Sequence, residues 1–169
     1  MDHPQPEEDD GLFAADPLEV AELVLAAENL AFDRTEDGDL AFSLGGDWKD
    51  YELWFAWRPE ADCLQLCVSL DLRAPKSLLA KTHALLAMIN PRVWLGHFEL
   101  WAEDGEVVFR NAMSLPHGDR PTMAQAASMI DTAVEAADRF YPAFDFLIQQ
   151  GKSPEEAMTA CMFDTMGQA

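Results

Sequence analysis

The chain has 169 residues, 31 of them acidic and 11 basic, with a formal charge of −20 and a hydrophobic content of 49%, so it is acidic without being too polar to fold, and its length suits the roughly 100–200 residues of a single domain. Lys and Arg are scattered singly from Arg34 to Lys152, which argues against nucleic acid and bare membrane as partners, since both are held by clustered bases. No window approaches the roughly 18 apolar residues of a membrane-spanning helix, and the first residues have neither the basic start nor the apolar stretch of a signal peptide, so a cytoplasmic location is expected.

Residues 1–15, with Pro4, Pro6 and an acidic run at 7–10, read as a flexible tail, and residues 16–169 as one domain. Asp16-Pro17-Leu18-Glu19 opens a helix with a capping Asp, Pro at the first helical position and Glu three residues after the cap. Asp37-Gly38, between the apolar segments 30–35 and 40–44, predicts a tight hairpin. Tyr51, Leu53, Phe55 and Trp57 alternate on a third strand, and Leu64, Leu66, Val68, Leu70 and Leu72 on a fourth. Pro75 falls where a second helix should begin, and Asn90-Pro91 stops that helix. Segments 95–101 and 107–115 form another hairpin through Glu103-Asp104-Gly105-Glu106. Thr122 and Gln125 make a capping box for a long helix that Pro142 should bend and Gly151 should end, and Ser153-Pro154-Glu155-Glu156 opens the last helix. The order α-β-β-β-β-α-β-β-α-α predicts an α+β fold, a two-layer sandwich in which an antiparallel sheet of about five to six strands carries its helices on one face.

Alternation places a second set of side chains opposite the aliphatic core. Trp54, Arg73, His97, Glu99, Trp101 and Arg110 fall on that outer face, and aromatics ringed by charged groups have the composition of a protein-binding patch. The competing reading has the tail or a final helix covering the two tryptophans. His97 and Glu99 share one side of a strand, as two metal ligands or a base with its orienting acid would. No third ligand completes a set, because His3, His83 and His117 lie on the tail, a helix and a loop. Cys63 and Cys67 sit four residues apart in an extended segment, about 13 Å and beyond the roughly 7 Å reach of a disulfide, so with Cys161 they are expected to be buried, reduced thiols. Gly45-Gly46 precedes a strand rather than a helix and reads as a plain turn, not a phosphate cradle. Met158, Met162 and Met166, four apart, suit either core filling or an adaptable binding stripe. No catalytic residue, cofactor or metal is expected.

Three segments, residues 50–57 (DYELWFAW), 90–98 (NPRVWLGHF) and 139–144 (RFYPAF), together resemble the YbjN-type family of bacterial sensory-transduction regulators with a type III secretion chaperone-like fold, over residues 16–167. The resemblance implies a small non-enzymatic bacterial protein that binds another protein of unspecified identity, as secretion chaperones of similar fold do, often as homodimers. The resulting expectation is a protein-binding module, chaperone-like or regulatory. The alternative is a small-molecule sensor in which Trp48, Trp54, Trp57 and Trp101 wall a pocket and Arg73 or Arg110 orients an anionic ligand.

A charge of −20 far exceeds the magnitude of about 2 to 8 usual for a small domain, so the fold works against its own repulsion. Because the Debye length falls to about 10 Å at 0.1 M ionic strength, adding NaCl should raise the melting temperature in a thermal scan. A flat or falling melting temperature would show that dispersed repulsion is not a significant cost.

Overall fold

The computed structural model describes residues 16–166, the last three by backbone alone, so the tail read from residues 1–15 lies outside the described residues. Helix α1 (Pro17–Ala27) leads into strands β1 (Phe32–Arg34), β2 (Leu40–Gly45), β3 (Asp50–Arg58) and β4 (Cys63–Arg73). Helix α2 (Leu79–Ile89) precedes β5 (His97–Leu100) and β6 (Glu106–Ser114), and helices α3 (Met123–Ile148) and α4 (Pro154–Met166) follow. The strands form one antiparallel sheet in the order β1-β2-β3-β4-β6-β5. This is the α+β class and element order that the sequence predicts.

The local chemistry explains most boundaries. Asp16 accepts the Leu18 N–H at 3.0 Å, but Glu19 does not close a capping box there and pairs with Arg120 instead. The boxes at α3 and α4 are closed in both directions, Thr122 with Gln125 and Ser153 with Glu156. Gly38 and Gly105 make their hairpin turns at φ of 84° and 75°, conformations that exclude most side chains. Two details differ from the sequence reading. A 3-10 turn, Lys76–Leu78, intervenes between Pro75 and α2, and α3 continues through Pro142 as one 26-residue helix. In addition, β4 is bulged between Ser69 and Arg73, with Asp71 at φ 52°, which the apolar alternation conceals because Leu70 and Leu72 remain buried on either side.

One face of the sheet presents Tyr51, Leu53, Phe55, Leu66, Val68 and Phe109 to a core that α1 supplies with Leu25, α2 with Leu85 and Ile89, and α3 with Ala133, Phe140 and Phe144. Phe98 is central: its ring meets Phe109, Phe140 and Phe144 at centroid distances of 5.1, 5.7 and 5.3 Å. The backbone of Phe98 is held as well, donating to Asn90 Oδ1 at 2.8 Å and accepting from Asn90 Nδ2 at 3.0 Å. The Asn90 amide thereby occupies backbone groups that an edge strand would otherwise leave free for pairing with another chain. Cys63 and Cys67 are free thiols, burial pushes Cys67 up to about 12, and Cys161 donates to the Arg139 carbonyl at 2.9 Å. Met158 belongs to the core, Met162 is exposed, and the Met166 side chain lies outside the described residues.

Phe55 and Leu66 are both fully buried on the core face. Replacing either with Ala should cost about 2–5 kcal/mol in denaturant unfolding, through lost transfer energy and the cavity left behind. A loss under about 1 kcal/mol, the range of exposed sites, would mean that the two faces of the sheet are reversed.

Candidate functional site

The other face of the sheet is open to solvent, with Ser43, Glu52, Asp71, Arg73 and His97 exposed along it. Strand register builds a continuous row across this face: Trp54 lies opposite Cys67, Cys67 opposite Arg110, and Arg110 opposite His97. Glu99 and Trp101 project from β5 on the same side. Trp54 and Trp101 meet edge to face at 5.8 Å, interplanar angle 69°, and both are half-buried. A sheet face with no core above it should leave its residues wet, yet Ala56, Cys67 and Val108 are at most 3% exposed. Cys67 lies between Trp54 and Arg110 in register, so the aromatic pair stands beside a dry strip of strand. Alternation places Val108 on this face, but its burial shows only in the folded sheet.

Glu99 joins the polar part of the site. Its Oε1 accepts from Trp101 Nε1 at 2.7 Å and from Arg110 Nη2 at 2.5 Å, and its Oε2 lies 3.0 Å from His97 Nε2. Partial burial pushes the Glu99 carboxyl up, but the hydrogen bonds from Trp101, His97 and Arg110 and the Arg110 charge outweigh it, holding the group below the ordinary carboxylate range. Arg110 also reaches Gln65 Oε1 at 3.5 Å, while its buried Nε has no partner among the described residues.

Five of the six residues singled out from the sequence, Trp54, His97, Glu99, Trp101 and Arg110, therefore form one contiguous group. Arg73 does not join it. It is taken up by a separate set of acids, Asp71, Asp104 and Glu106, with contacts of 3.8, 3.3 and 3.4 Å. Among the described residues, no three His, Cys, Asp or Glu side chains converge as a metal-ligand set. Nor do the four tryptophans of the sensor reading gather around one pocket: Trp57 packs against the core, Trp54 and Trp101 cap the open face, and only Trp48 lines the cleft of about 540 Å³ on the helical side. No helix of the described residues is long and apolar enough to cross a membrane.

A model of the YbjN family, described as "Putative bacterial sensory transduction regulator", matches residues 17–146. No curated protein matches the chain. Among solved structures, E. coli YbjN superposes with a TM-score of 0.58 at 12% identity, covering 81% of this chain and 95% of its own. A chain of the HopA1–SchA chaperone–effector complex superposes with a TM-score of 0.51, also at 12% identity, covering 71% of this chain and 88% of its own. At such identities the likeness establishes the fold.

The depressed Glu99 carboxyl gives a pH-dependent expectation. A carboxylate whose pKa is lowered on folding stabilises the native state above its unfolded value and loses that contribution as pH falls through the folded value. Glu99→Gln should therefore cost about 1 kcal/mol or less at pH 7, as for a partly exposed ion pair, and the cost should begin to fall as pH drops below the ordinary carboxylate value of about 4.3 and disappear only below the lower folded value. Thermal scans of both proteins across this range would show it; a difference independent of pH would mean that Glu99 acts by packing rather than by charge.

Proposed function

The chain belongs to the YbjN family, and on that footing we propose that it is a non-enzymatic protein-binding module, regulatory or chaperone-like, acting in the bacterial cytoplasm and receiving its partner on the open sheet face. The observation that carries this reading is the Trp54–Trp101 pair, two large aromatic groups locked edge to face on an otherwise polar, solvent-open surface. Binding energy in protein interfaces concentrates in such aromatic and arginine anchors, ringed by polar groups that exclude water. Arg110 and Glu99 supply the polar ring, and because each holds the other they are oriented before any partner arrives, which lowers the ordering cost of association.

The fold adds support of a second kind. A chain of similar architecture occurs in a chaperone–effector assembly, HopA1–SchA. A shared fold transfers architecture rather than activity, so the functional argument rests on the patch. The excess negative charge fits the same role, since it keeps both the module and what it holds dispersed.

The test is capture from a native lysate by the full chain and by the double variant Trp54→Ala/Trp101→Ala, with mass spectrometry of the retained proteins. The variant should lose specific capture while still unfolding cooperatively in a thermal scan, since the pair lies on the solvent-open face and outside the hydrophobic core. If the folded variant retains the same proteins, the partner surface lies elsewhere. If it unfolds, the pair is structural and the reading fails.

A further inference from the structure

A second surface, on the helical side, is built with equal care. The turn between β2 and β3 is closed by the Gly46 N–H donating to the Lys49 carbonyl at 2.8 Å, and it is pressed hard against α3. A Cβ on Gly46 would lie 2.2 Å from the Tyr51 ring and 2.5 Å from Asp138 Oδ1. Asp138 clamps the turn: Oδ1 accepts from the Asp47 N–H and from the Tyr51 hydroxyl, each at 2.9 Å, and its carbonyl accepts from Trp48 Nε1 at 2.9 Å. Trp48 stacks on Tyr141 with centroids 6.5 Å apart, yet it remains 47% exposed. It is a fixed aromatic wall facing solvent.

That wall borders the cleft of about 540 Å³, within the range of small-ligand sites. Leu44, Val134 and Pro142 supply apolar lining, and Asp47, Asp131, Glu135 and Asp138 supply carboxylates. Residues 131, 135 and 138 fall on one side of α3, at spacings where like charges oppose helix formation. None of the four carboxylates is in an ion pair among the described residues, although Arg34, Lys49, Arg58, Arg73, Arg110 and Arg120 all pair with acids elsewhere. The one basic residue at the cleft, Arg139, has its guanidinium over the Phe140 ring at 5.0 Å. The cleft thus combines an aromatic wall, apolar lining and four carboxylates against a single base, none of the four in an ion pair among the described residues.

We propose that this cleft binds an organic cation, an ammonium or guanidinium on an aliphatic stem. The stem lies along Trp48 and the apolar lining, where the indole face also attracts the cation, and the charge sits among the carboxylates of Asp47, Asp131 and Glu135. Such a group comes either from a free polyamine or from a Lys or Arg side chain of a bound peptide. The site is separate from the sheet face and does not depend on the function proposed for it.

Calorimetric titration of the full chain at fixed ionic strength tests this, with spermidine as one probe and an end-blocked Gly-Arg-Gly peptide as the other. Saturable one-site binding of either probe is expected, the tighter of the two identifying the source. Asp131→Asn/Glu135→Gln and, separately, Trp48→Leu should each weaken binding by about tenfold, combining lost charge and lost cation–π attraction. Glu36→Gln/Glu60→Gln removes the same two charges from exposed positions outside the cleft and should leave the affinity unchanged. Failure of both probes to saturate, an equal loss in that control, or full affinity in the folded Trp48→Leu variant would overturn the proposal. If Trp48→Leu does not fold, the two paired-charge variants decide it.

Discussion

The placement of Phe98 is the constraint on which the open face depends. Its ring is buried among Phe109, Phe140 and Phe144, and its backbone is tied on both sides to the Asn90 amide. With Phe98 pointing inward, the period of two in a strand forces His97 and Glu99 outward. A slip of one residue would put a carboxylate in the core and a phenyl ring in water, so register here is set by the cost of exchanging the two faces. Gly96 protects the same arrangement from the other side, because a Cβ there would lie 2.6 Å from the Arg110 carbonyl. The motif around Asn90 and Phe98 thus anchors the core with its inward half and presents His97 and Glu99 on the open face with its outward half.

Much of this was legible in the sequence because it is local. Helix caps, Asp-Gly turns and strand alternation operate over two to four residues, and they located the elements, the core face and the outward set Trp54, His97, Glu99, Trp101 and Arg110. Alternation put Arg73 on the correct face but gave no position along it; the bulge at Asp71 and three acids hold Arg73 in a separate cluster on that face. The Glu99 contacts to Arg110 required the β5–β6 register, which no spacing within a single strand supplies, and the burial of Val108 shows only in the folded sheet.

The cleft at Trp48 was not legible at all, for a physical reason. Its key contact joins Asp47 to Asp138 across 91 positions, and the demand for glycine at position 46 comes from the Tyr51 ring on β3 and from Asp138 on α3 rather than from the turn's own backbone. Read alone, Gly45-Gly46 is a turn. Read with α3 in place, Gly46 is a point of closest approach between two layers, where any larger residue would push Tyr51 and Asp138 apart. The acidic stripe on α3 was equally silent, since in a chain of −20 three more carboxylates carry no signal until their neighbours are known.

The two surfaces divide the scarce positive charge between them unequally. Arg58, Arg73 and Arg110 alternate onto the open sheet face, and each is paired with acids on or beside it. What remains for recognition there is shape and aromatic area, which salt screens little. On the α3 side, Asp47, Asp131, Glu135 and Asp138 share the cleft with one base, Arg139, and none of the four is in an ion pair among the described residues. A cation bound there as proposed would be held mainly by charge, and its affinity would weaken as ionic strength rises. A single fold with few bases thereby presents two chemically distinct faces, one with paired arginines around an aromatic pair and the other with carboxylates outside any ion pair among the described residues, and the strand register that sends its arginines to the sheet face is what separates them.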